Sequence, residues 1–97
     1  MLWRFLKQNT EKMTKKIECV ISGKVQGVFF RDFVKQTADQ LELSGFVKNN
    51  PDGSVLVVAE GRDEKLRKFL ELVQQGTEYS KIEKVEADWK NPTSEFS

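Results

Sequence analysis

The chain has 97 residues, enough for one domain and too few for two of ordinary size. Hydrophobic residues are 38% and charged residues 32% of it, which reads as soluble and globular and excludes a disordered chain. A formal net charge of +1 and the lack of histidine exclude a strong field for nucleic acid or anionic lipid, His-based triads and His-containing zinc sites.

Residues 1–14 read as a tail or an extra element ahead of a domain over 15–97. Their opening, "MLWRFLKQNTEKM", has a short apolar stretch broken by Arg4 and no small-residue cleavage site, which argues against a signal peptide. No stretch of the chain approaches the roughly 18 apolar residues that a membrane span needs. "KIECVISG" (16–23) alternates, with Ile17, Cys19 and Ile21 on one parity against Glu18, Val20 and Ser22, and predicts a first strand. A single cysteine forms neither an intrachain disulfide nor a thiolate cage, so Cys19 reads as a passive core residue of a cytoplasmic protein.

Phe30, Phe33, Val34, Ala38 and Leu41 then recur at helical spacing, with Asp32, Lys35, Gln36, Asp39 and Gln40 turned to water. This first helix is expected to end at the region marked by Gly45. "GFVKNNPDGSVLVVAEG" (45–61) predicts a hairpin of strands 46–49 and 54–60. In its turn Pro51 presets the backbone, Asp52 bonds locally and Gly53 tolerates a positive φ. A second helix follows, with Leu66, Phe69, Leu70 and Val73 on one face, Asp63 and Glu64 near its start and Gly76 at its stop. "KIEKVEADW" (81–89) returns to period two through Val85, Ala87 and Trp89. The order β-α-β-β-α-β is a split βαβ arrangement, in which two helices cover one face of a small, mainly antiparallel sheet.

The stretch that points to chemistry is "GKVQGVFFR" (23–31). A loop feeding a helix presents backbone N–H groups without intrahelical acceptors, and Gly23 and Gly27 let it curl into an anion nest. Lys24 and Arg31 flank that nest. Arg31 sits in the first helical turn, where the dipole disfavours a cation; an anion in the nest removes the conflict and suits the planar guanidinium. An arginine resting on the surface at a cost of about a few tenths of a kcal/mol fits the same spacing, and both readings stand at this point. The spacing is neither the Walker phosphate loop nor the dinucleotide fingerprint. Asn49 carries an amide able to accept from water and donate to a substrate oxygen, although Asn49 and Asn50 equally suit a turn.

In these two motifs the chain resembles the acylphosphatase family. The family has a Val-Gln-Gly-Val core between a glycine and a Phe-Arg pair, here "GKVQGVFFR", then a Gly-aromatic-small-basic-Asn run with a turn glycine and a strand ending in glycine, here "GFVKNNPDGSVLVVAEG". The motifs cover most of 23–61, and the surrounding pattern fits from about 16 to 89. The resemblance implies an α+β, ferredoxin-like sandwich that hydrolyses the carboxyl-phosphate anhydride of acyl phosphates, with no metal or organic cofactor. It implies that the amides of Val25, Gln26, Gly27, Val28, Phe29 and Phe30 cradle the phosphate, that Arg31 binds the phosphoryl group, and that Asn49 positions the attacking water. The expected partner is a small acyl phosphate, with inorganic phosphate or sulfate on the same loop, and neither nucleic acid nor membrane. A monomer is expected, with a strand-exchanged dimer as the alternative.

Two departures stand out. Leu56 replaces an acid common in the family and, with Val58, makes the outer sheet face apolar. Members also continue past a segment like "SEFS" into a final strand; that strand is missing here and is expected inside the sheet beside the first strand. "LWRFL" (2–6) alternates and is a candidate to fill the gap from its own or another chain. The missing strand also keeps a non-catalytic phosphate-binding module of the same fold in view. A nucleic-acid binder fits poorly, because the return strand "SVLVVAE" carries no aromatic for base stacking.

Overall fold

The structure, a computed structural model, describes residues 1–3, 14–27 and 29–92. It contains β1 (Leu2–Trp3), β2 (Thr14–Lys24), α1 (Phe30–Gln40), β3 (Ser44–Asn49), β4 (Val55–Arg62), α2 (Asp63–Gln75) and β5 (Lys81–Lys90). One five-stranded sheet runs in the order β1-β3-β4-β2-β5, and every neighbouring pair is antiparallel.

The alternation read in the first strand sets the core. Ile17, Cys19 and Ile21 of β2 lie opposite Ala59, Val57 and Val55 of β4, and all six side chains are buried on one sheet face. Against that face α1 packs Phe30, Val34 and Ala38, and α2 packs Leu66, Phe69 and Val73. Both helices use the stripe that their spacing predicts. On β5, Val85 and Trp89 pack against the same core as half-buried residues, whereas Ala87 stays exposed. On the opposite face Val58 is buried and Leu56 half-buried.

Helix α1 ends earlier than its glycine suggested. Glu42 takes the left-handed conformation at φ 61°, and the Leu43 N–H donates to the Ala38 carbonyl at 2.9 Å while the Glu42 N–H donates to that of Asp39 at 3.2 Å. This is a Schellman-type ending with glutamate in the usual glycine place. Gly45 lies beyond it, inside β3 and opposite Ala59.

The expectation of a missing strand inside the sheet is overturned. Strand β2 is paired on both sides, to β4 and to β5, so no gap lies beside it. The free edge belongs to β3, because β4 folds back between β3 and β2. Leu2 and Trp3 pair there with Phe46 and Gly45, and the Val47 N–H donates to the Met1 carbonyl at 2.8 Å. The strand comes from the same chain, and Trp3 enters the core at 3% exposure. The rest of "LWRFL" and the "SEFS" ending lie outside the described residues.

Candidate active site

The loop between β2 and α1 leaves the sheet at a kink. The register between β2 and β5 shifts at Ser22 and Gly23, and a Cβ on Gly23 would collide with the Lys81 carbonyl. Gly23 therefore serves the close approach of β5, rather than room for a ligand as its place in the motif suggested.

Beyond it the side chains take separate tasks. Val25 is buried in the core at 1% exposure. The Gln26 side-chain amide donates to the Asn50 carbonyl at 2.8 Å and to the Ser54 carbonyl at 2.9 Å, tying the loop to the β3–β4 turn. Gly27 has φ +71°, and apart from its chain neighbours no heavy atom of the described residues lies within 4 Å of where its Cβ would stand. Phe29, the residue capping α1, also has a positive φ of 59° and gives the helix no side-chain cap. Phe30 opens α1 and is buried. Val28 lies outside the described residues.

The main-chain donors of this loop are left over. Among the described residues, the amides of Val25, Gln26, Gly27, Phe29 and Phe30 donate no backbone hydrogen bond; Phe29 contributes only its carbonyl, which accepts from the Phe33 N–H at 3.1 Å. Omitting a polar side-chain cap costs a helix about 1 kcal/mol, and the uncapped end keeps its partial positive charge. A pocket of about 320 Å³ opens at this point, walled by Val25, Gly27, Phe29, Phe30 and Arg31, with Met1 and Asp32 at its sides. Arg31 is exposed and has no ion-pair partner among the described residues. Amides with no acceptor among the described residues and one guanidinium thus adjoin the same pocket, a donor set suited to a tetrahedral anion.

The other expected residues fall outside this wall. Asn49 ends β3 opposite Val55, and Val55 in turn faces Ile21. It is exposed on the helix-covered side, in the last row before the loop, but is not among the residues lining the pocket. Asn50 is the turn residue: its side chain donates to Ser54 Oγ at 3.0 Å and its N–H to the Ser54 carbonyl at 2.8 Å. Asp52 accepts from the Ser54 N–H at 2.9 Å and hydroxyl at 2.6 Å, and these bonds hold its carboxyl below the usual range. Lys24 lines a separate groove with Asp52, Ser54 and Glu83, so Arg31 alone of the two expected flanking cations reaches the pocket. Burial pushes the Cys19 thiol up to about 12, leaving it protonated and inert at neutral pH. Sequence reasoning missed two participants, the Gln26 side chain as a strut and Met1 in the pocket wall. Both depend on contacts between segments distant in the chain, for which no local spacing is a signal.

The acylphosphatase family model matches residues 17–97. An acylphosphatase of Salinibacter ruber is 38% identical over 82 residues, covering 84% of this chain and 86% of that protein. That of Borrelia garinii subsp. bavariensis is 49% identical over 72 residues, covering 73% and 77%. The crystal structure of acylphosphatase from Bacillus subtilis superposes with a TM-score of 0.82 at 35% identity, covering 84% of this chain and 91% of that one. No helix among the described residues is long and apolar enough to cross a membrane.

Proposed function

The chain belongs to the acylphosphatase family and hydrolyses acyl phosphates to carboxylate and phosphate; on that premise we propose that Arg31, Asn49 and the loop amides form its catalytic centre. The amides of 25–30 and the Arg31 guanidinium hold the three phosphoryl oxygens. Asn49 holds the attacking water, its amide oxygen accepting a hydrogen bond from it and orienting it toward phosphorus. The bond from phosphorus to the acyl oxygen breaks, and its electron pair leaves on the carboxylate. That leaving group is weakly basic, so the site needs no general acid, and the water's proton passes to a phosphoryl oxygen. Placement and donors aimed at the developing charge supply the rate.

The observation supporting this reading is the uncapped start of α1, where amides with no acceptor among the described residues adjoin a pocket walled by Arg31. For Asn49 the support is its row at the loop end of the sheet, with Gln26 bridging the loop to the adjacent Asn50. The test is steady-state hydrolysis of benzoyl phosphate. Removing one positioned donor costs about 3–4 kcal/mol of transition-state stabilisation, so Arg31→Ala and Asn49→Ala should each lower kcat by roughly 10²–10³-fold. Both residues are exposed, so the circular dichroism of each variant should match the wild type. A folded Arg31→Ala variant within threefold of wild-type turnover overturns the proposal. A cytoplasmic monomer completes this reading, supported by the inert thiol of Cys19 and by an edge strand drawn from the same chain.

A further inference from the structure

We propose that Phe29 is the platform on which the acyl group of the substrate rests, so that this chain favours flat aromatic acyl groups over acetyl. The inference rests on the phosphoryl site proposed above and concerns the other half of the substrate. At 79% exposure Phe29 is the most exposed large hydrophobic residue among those described, ahead of Tyr79 at 62%. It contributes nothing to the core, a task left to its neighbour Phe30, and it forms no ring contact among the described residues, whereas Phe30 pairs with Phe33 at 5.9 Å. Its backbone is held at φ 59°, where a bulky side chain is disfavoured. Neither packing nor local conformation therefore accounts for an aromatic residue at this place.

The position does account for it. Phe29 and Arg31 wall the same pocket, and Gly27 between them and β2 leaves open space where a side chain would stand. An acyl phosphate whose phosphoryl oxygens meet Arg31 and the loop amides has its acyl carbon only two bonds from phosphorus. Of the other apolar residues in that wall, Val25 and Phe30 are buried at 1% exposure, which leaves Phe29 and Met1 as the exposed apolar surface for that group. An exposed ring beside such a group gains from stacking when the group is itself aromatic and gains little from a methyl.

The experiment measures kcat/KM for benzoyl phosphate and for acetyl phosphate and compares their ratio in wild type, Phe29→Gly and Phe29→Tyr. Effects of the substitution on the loop itself weigh on both substrates and cancel in the ratio. Glycine suits a positive φ, so Phe29→Gly keeps the backbone's conformation and removes only the ring. The ratio is expected to fall by roughly three- to tenfold in Phe29→Gly, the range that aromatic stacking provides, and to stay within twofold of wild type in Phe29→Tyr. A smaller fall in Phe29→Gly, or a larger change in Phe29→Tyr, overturns the proposal. Arg31→Ala separates the two readings. Its retention of turnover on both substrates removes the phosphoryl site and this inference with it, whereas an unchanged Phe29→Gly ratio alongside an inactive Arg31→Ala removes the platform alone.

Discussion

Asp32 stands beside Arg31 in the first turn of α1 and borders the same pocket, the position in which a base would be sought. The proposed chemistry gives it no such task, because in it carboxylate departs without protonation and the phosphoryl oxygens take the water's proton. Asp32→Asn should therefore leave kcat for benzoyl phosphate within about threefold of wild type, and a fall of a hundredfold in a folded variant would show a carboxylate base at work. Asp52 differs, since its lowered pKa comes from the Ser54 hydroxyl and amide and reports on the turn. A carboxyl depressed on folding stabilises the native state above its unfolded pKa, and that contribution is lost as pH falls through the folded value. The stability gap between wild type and Asp52→Ala, read as urea midpoints, should thus narrow from pH 5 towards pH 2; a gap constant across that range would sever the link. At this scale the sequence was informative wherever a residue conflicted with its own surroundings. The place of Arg31 in the first turn of α1 was legible, as was the turn at "NPDG". Lys24 and Gln26 were not: Gln26 bonds the β3–β4 turn, 24 and 28 residues further along the chain, and Lys24 lines a groove with residues of that turn and with Glu83.

Among the elements, β1 is the one whose place the pattern left open. Alternation in "LWRFL" marks a strand, but a strand's partner is decided by which edge the rest of the sheet leaves free. Here β4 returns between β3 and β2, and the free backbone groups are those of β3. Side-chain parity then sends Trp3 into the core and Leu2 outward at 54% exposure. Trp3→Ala should cost about 3–5 kcal/mol by urea unfolding, as large-to-small changes at buried aromatics do, while Leu2→Ala should stay within about 0.5 kcal/mol. Equal effects of the two would mean that β1 does not dock with this parity. The same scale explains the glycine misread at α1. Gly45 looked like a helix stop because glycine usually is one, yet Glu42 makes the reversal and Gly45 lies where a Cβ would strike the Val58 carbonyl. Its purpose lay in the facing strand of its own hairpin.

Across the whole molecule the sheet manages its two edges by different means. Strand β5 carries Lys81, Glu83, Lys84, Glu86, Asp88 and Lys90, and charges along an edge discourage pairing with another chain. Strand β3 has no such row, with Gly45, Phe46 and Val47 in sequence, and relies on β1 for cover. The fold is therefore expected to be monomeric while β1 is docked and to associate when it is not. Wild type should elute at its monomer mass of 11.2 kDa across a wide concentration range, and a variant lacking residues 1–3 should form dimers or larger species as concentration rises. Because Met1 also borders the pocket, the same truncation should lower kcat/KM even in its monomeric fraction. A truncated chain that stays monomeric at every concentration would show that the β3 edge is protected by something other than β1. Full activity in the monomeric fraction would place Met1 outside the working site.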